Sequence, residues 1–141
     1  MSTYYFNEAV FSLPDRSFID RTLHRLESPL DGDDSLGVEI RRLPMPHGKS
    51  LRQLVDDEIA DTKTKVDGFT VVEEAEVALA GAPAIVVRAR LRALDLPYQQ
   101  LQAHVARGDT WIMLTVTGPS TERALCDETF ERVLCSVAWR N

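Results

Sequence analysis

His47-Gly48-Lys49-Ser50, just ahead of a helical pattern, copies the end of a phosphate-binding loop, where backbone N–H groups cradle phosphate and the lysine reaches it. The match fails. Leu43 stands where the first glycine is required, and Pro44 and Pro46 lack the N–H groups such a loop uses. Asp31, Asp33 and Asp34 gather acids as calcium loops do, but without alternating spacing, a following glycine and a distant glutamate. They read as a solvated acidic loop. His24, His47 and His104 have no metal-ligand spacing and no cysteine close in sequence. Cys126 and Cys135 lie nine positions apart on a predicted helix, so they point to opposite sides and do not pair with each other. His104 beside Gln102 is the best seed for catalysis, yet no base, nucleophile or metal cluster accompanies it. The expectation is a protein that is not an enzyme and takes no metal or cofactor.

The bulk composition narrows the partners. With 141 residues, 44% hydrophobic and 27% charged, the chain reads as one ordinary globular domain over 1–141. Its formal net charge of −6 argues against nucleic acid and against an anionic membrane surface. Free thiols suit a reducing cytoplasm, and Asn7 and Glu8 stand where a signal peptide needs a basic start and an apolar run. The longest apolar stretch, 77–87, is interrupted by Gly81 and Pro83 and falls short of the roughly 20 residues of a membrane span. A cytoplasmic location with no stable membrane insertion is expected.

The elements that must position any site follow from periodicity. Ile85, Val87, Ala89 and Leu91 alternate with Arg88, Arg90 and Arg92; Leu101, Ala103 and Val105 with Gln100, Gln102 and His104; Ile112, Leu114 and Val116 with Trp111, Met113 and Thr115. A two-residue Gly108-Asp109 turn sets Val105 opposite Ile112 and Ala103 opposite Leu114. The result is an antiparallel meander with one dry face and a second face of Arg, Gln and His on which Trp111 and Met113 are exposed. Such an apolar pair among amides marks a binding surface.

Elsewhere the pattern predicts a strand over 4–13, a second over 20–27, and a third through Leu36, Val38 and Ile40 that ends at Pro44. Ser50 and Gln53 form a capping box for a helix over 51–65, with Leu51, Leu54, Val55, Ile59, Thr62 and Val66 on one side. Asp67-Gly68 ends it, and a strand follows over 69–79. Pro119 and Ser120 open a second helix that buries Leu125, Phe130, Val133, Leu134 and Val137, and a short strand near Trp139 closes the chain. The fold class is α+β, an antiparallel sheet with two helices packed on it.

The run Tyr5 to Pro14, followed by Asp20-Arg21-Thr22-Leu23-His24, resembles the opening of the bacterial DcrB-like family. Asp67-Gly68-Phe69, Gly81-Ala82-Pro83-Ala84, and Gln102 in a strand before a hairpin follow in the family's order. The resemblance implies a PsbP-like α/β/α sandwich, an antiparallel sheet of about six or seven strands flanked by helices. Members without a signal peptide resemble the effector-associated (Eag) chaperones of type VI secretion. These are cytoplasmic homodimers that shield the N-terminal transmembrane helices of a toxin effector and aid its loading. That implies a client groove in which Gln102 and Gln100 match the glutamine-bearing strand, and Leu23, Val38 and Ile40 match its apolar positions. Trp111 and Met113 join it from the pattern above. Glu58 stands on the helix where a glutamine is expected, Ala9 replaces a glycine, and Arg25 puts a charge on a strand that is commonly apolar. The rival expectation is a non-enzymatic interaction module that grips a folded partner through the Arg88, Arg90 and Arg92 ridge.

Overall fold

A computed structural model describes residues 2–5, 10–13, 23–32 and 34–140. The element order is β1 (Ser2–Tyr5), β2 (Val10–Leu13), β3 (Leu23–Pro29), β4 (Ser35–Pro44), α1 (Leu51–Lys65), β5 (Thr70–Leu79), β6 (Ala82–Ala93), β7 (Leu96–Arg107), β8 (Thr110–Pro119), a 3-10 turn (Ser120–Glu122) and α2 (Arg123–Ser136). Six strands form one antiparallel sheet in the order β3-β4-β8-β7-β6-β5. The single strand expected over 4–13 is instead two strands, with β1 and β2 paired antiparallel. Of the strand expected over 20–27, the described part begins at Leu23 and runs on to Pro29.

Local chemistry sets α1 as the sequence reads. Ser50 Oγ accepts the Gln53 backbone N–H (3.2 Å), and Gln53 Oε1 accepts that of Ser50 (2.8 Å), so two otherwise orphaned donors at the helix start are satisfied. Gly68 then takes φ +65, a conformation that glycine adopts without a Cβ penalty, and the chain turns into β5.

The Gly108-Asp109 turn has the expected register, with Val105 opposite Ile112 and Ala103 opposite Leu114. The preceding hairpin does not sort the faces as the pattern suggested. Leu94 and Asp95 both take positive φ, 52° and 63°, making a two-residue turn that places Arg88 opposite Leu101 and Val87 opposite Gln102. The apolar set of β6 therefore shares a face with the Gln/His set of β7, and Arg88 shares the other with Leu101. No face is left dry and no face is left polar.

Each face takes a helix. Val55 and Ile59 of α1 pack with Phe69, Ile85, Val87 and Ala89. Cys126 and Phe130 of α2 pack with Leu36, Leu101, Ala103, Leu114 and Val116 on the opposite face. Residues 137–140 are not the short strand expected; Trp139 instead donates its indole N–H to Leu79 O (3.2 Å), with the Arg107 guanidinium 5.0 Å from its ring. The tail caps a third small cluster around Leu79, Ala82, Ala84 and Val105.

The approach of α2 is set at Gly118, where an added Cβ would lie 2.6 Å from Cys126 Sγ and 3.1 Å from Leu36 Cδ1. Both neighbours are buried, so neither swings away. Gly118→Ala is expected to destabilise the fold by about 2 kcal/mol through overpacking, read as a lower urea midpoint. At Gly37, an added Cβ meets nothing nearer than Thr117 O at 3.9 Å. Gly37→Ala serves as the control and should be neutral or stabilising by about 0.5 kcal/mol.

Candidate functional site

The α1 side of the sheet carries a line of polar groups in an otherwise apolar interior. Successive inward positions of β7 are Gln100, Gln102 and His104, facing Thr117, Thr115 and Met113 of β8. Trp111 Nε1–H donates to His104 Nδ1 (3.2 Å), and His104 Nε2 bonds Gln102 Oε1 (2.8 Å). Gln102 Nε2 donates to Gln100 Oε1 (2.6 Å), and Gln100 Nε2 to Thr117 Oγ1 (3.2 Å). An indole N–H can only donate, so His104 accepts on Nδ1, carries its proton on Nε2 and is neutral. That fixes the direction of every later bond in the row.

Burial explains why the row must be complete. His104 has no exposed surface and Gln102 almost none. A buried amide or imidazole without partners costs a few kcal/mol, and among the described residues no buried side-chain N or O lacks one. The His104 and Trp111 rings also stack, with centroids 5.8 Å apart. Desolvation, with a smaller push from the Arg52 charge on α1, lowers the His104 pKa from 6.5 to about 4. Arg52 is itself held by Asp56 (2.7 Å) and by Glu74 of β5 (3.1 Å).

Trp111 and Met113, expected as an exposed pair, are both buried. The row's open end is Gln100 with Thr117, both half-buried. Beside them on the same face lie Gly37 and then Glu27, while Leu23 lines up with Arg41, Met113 and His104. Leu23 is 55% exposed. Glu58 reaches from α1 to Arg41 of β4 (3.7 Å), an ion pair over this part of the sheet. Val38 and Ile40 do not join these residues. Their parity on β4 puts them on the opposite face, partly buried against the α2 cluster.

The arginine ridge is not a free surface either. Arg88 points under α2, where its Nη1 donates to Asp127 Oδ1 (2.8 Å) and Gln99 Oε1 (3.3 Å). Gln99 Nε2 in turn donates to Arg123 O (3.2 Å). Arg92 lies over Gly68 and donates to Asp95 O (3.4 Å). Only Arg90 of the three is left exposed without such a role among these contacts. Gln99, Asp127 and Thr117 escaped the sequence reading. The Gln99–Arg88–Asp127 grouping depends on the β6–β7 register and on where α2 seats, whereas Thr117 follows from the β7–β8 register, which sets it opposite Gln100. Among the described residues no group of His, Cys, Asp and Glu could hold a metal ion, and no helix is long and apolar enough to cross a membrane.

An antiparallel sheet with one helix on each face is the PsbP-like sandwich. The solution structure of cyanobacterial PsbP (CyanoP) from Synechocystis aligns with a TM-score of 0.58 at 10% identity, over 89% of this chain and 96% of that one. The DcrB family profile matches residues 8–136, and the chain belongs to that family. A Pseudomonas aeruginosa protein of unknown function, PA94, aligns at TM-score 0.82 and 14% identity, covering 99% of this chain and 97% of its own. LpqN of Mycobacterium tuberculosis, involved in cell envelope biogenesis, aligns at 0.63 and 11% over 80% and 78%. At these identities the likeness shows the fold alone. No curated protein matches the sequence.

The buried imidazole makes stability depend on acid. Above pH 6.5, His104 is neutral in both folded and unfolded chains and the term is constant. As pH falls from 6.5 toward 4, the unfolded chain takes up a proton that the folded one refuses. Stability should drop across that window by about 3 kcal/mol from this group, measured by urea unfolding at pH 7, 5 and 4. His104→Gln should remove that part of the slope, whatever its effect on stability at pH 7.

Proposed function

We propose that the chain is a non-enzymatic cytoplasmic chaperone that shields the N-terminal apolar helices of a type VI secretion effector, works as a homodimer and aids the effector's loading. The observation that supports this best is the shelf formed by Gly37, Thr117 and Gln100 on the α1 side of the sheet. Gly37 offers no side chain, so a client helix backbone can come close. Gln100 and Thr117 retain donor capacity beyond their mutual bond, which suits exposed carbonyl or hydroxyl oxygens on a small-residue stripe. Exposed Leu23 on the same face supplies apolar contact.

The energetics favour such a task. An apolar helix of about 20 residues in water must bury its surface or aggregate. A floor with both apolar and amide character binds it without leaving its polar stripe unpaired. Membership in the DcrB family and the resemblance of Gln100 and Gln102 to a glutamine-bearing client strand agree with this reading.

The test is titration of the purified protein with a synthetic apolar helix of about 20 residues carrying a Gly/Ser stripe, followed by fluorescence anisotropy. Binding is expected, with Gly37→Leu weakening it by about tenfold or more while the urea midpoint stays near that of the parent. A protein with no affinity for this or any similar peptide would sink the proposal. Binding to a folded protein surface instead would favour an interaction module of the same fold.

A further inference from the structure

The two outer strands of the sheet, β3 and β5, end it in different ways. Every residue of β3 is exposed, on both faces of the sheet, and among the described residues β4 is its only strand neighbour. Such an edge offers unpaired N–H and C=O groups to another strand. β5 is exposed too, but it carries Glu73, Glu74 and Glu76, and its ladder is broken by an irregularity between Val71 and Glu73. A second copy aligned antiparallel about Glu73, Glu74, Ala75 or Glu76 would set acids directly opposite acids. That arrangement is repulsive.

β3 has the opposite property. Its sequence, Leu-His-Arg-Leu-Glu-Ser-Pro, is centred on Leu26. Turned about a two-fold axis through Leu26, Arg25 falls opposite Glu27 of the second copy, and Glu27 opposite its Arg25. Leu26 then meets its own counterpart, His24 faces Ser28, and Leu23 faces Pro29. Both charged pairs are attractive, and no like charges oppose. Within one chain Arg25 already reaches Glu27 at 2.9 Å and Glu39 at 3.6 Å, so its charge lies on the face where the cross-copy pairs would form. Pro29, which has no N–H, is the last residue of the strand, so the ladder loses at most a terminal bond.

The apolar side agrees. Leu26, 63% exposed, lies opposite Val38, and Val38 opposite Val116. Leu26 thus extends a row that begins in the α2-side core, and its counterpart would continue that row into the second copy.

We infer that the outer edge of β3 is the seam of a two-fold dimer, in which a second copy of this chain pairs antiparallel through Leu26 and joins the two six-stranded sheets into one. The inference rests on the homodimer part of the proposed function and on none of its client chemistry. The seam is isologous, so it closes at two copies.

Light scattering after size exclusion tests it on the full chain. The parent should run at twice the chain mass. Arg25→Glu and Glu27→Arg alone each create two like-charge pairs and should give monomers, whereas the double swap restores attraction and should give back the dimer. Leu26→Cys in a Cys135→Ser background gives a second reading: copper-phenanthroline as oxidant removes two electrons and two protons from the facing thiols, leaving a covalent dimer. A monomeric parent, assemblies larger than two, a dimer indifferent to the single swaps, or no cross-link in a dimeric protein would each overturn the seam. A monomer that still binds the apolar peptide would overturn the seam and leave the client reading standing. A charge-sensitive dimer with no peptide affinity would do the reverse.

Discussion

A histidine and a glutamine cannot be dried in the centre of a sheet unless every polar atom they carry finds a partner, and this constraint organises the α1 half of the molecule. Trp111 starts the row with a group that can only donate, so His104 must be neutral with its proton on Nε2. The two glutamine amides then have one orientation each, ending at Thr117. The row spans the hairpin of β7 and β8, so these strands are joined by side chains as well as by backbone. Apolar residues on β6 and α1 flank it, which keeps the local dielectric low and each hydrogen bond strong.

The α2 side solves the same problem differently. One charged cluster, Arg88 with Asp127 and Gln99, anchors the N-terminal part of the helix over β6 and β7, where partial exposure limits the desolvation cost. Further along, contact is close packing alone, and Gly118 lets Cys126 approach without a Cβ between them. Burial raises the Cys126 thiol pKa, so this sulfur behaves as a core atom and not as a nucleophile. Polar specificity at one end and tight packing along the rest leave α2 a single seat.

These two interiors use most of the side chains that looked like surface chemistry. What remains outside includes the Gly37, Thr117 and Gln100 shelf, the leucines of β3, Arg90, and the acids of β5. Structures with the same fold at 10% to 14% identity show that the sandwich tolerates almost complete replacement of its side chains. Function in such a family resides in the site each member builds on the scaffold.

Much of this was legible from the chain. The capping box fixed α1 at 51–65, since a cap is read from neighbouring residues, and glycine at the first turn position fixed the β7–β8 register. Period-two alternation located β6, β7 and β8 for the same local reason. Which faces combine is a different matter. It depended on Leu94-Asp95, a turn in left-handed conformation with neither Gly nor Asn to announce it, and a shift of one residue there exchanges every side chain between faces. Trp111, Met113 and Arg88 therefore moved from expected surface to interior, while the β4–β8 register, with Val38 opposite Val116 and Ile40 opposite Leu114, parted those two residues from Gln100 and Gln102. Alternation along one strand is a property of that strand's own sequence, whereas the helix that covers it is chosen by register and packing across residues far apart in the chain, and only the tertiary structure decides that.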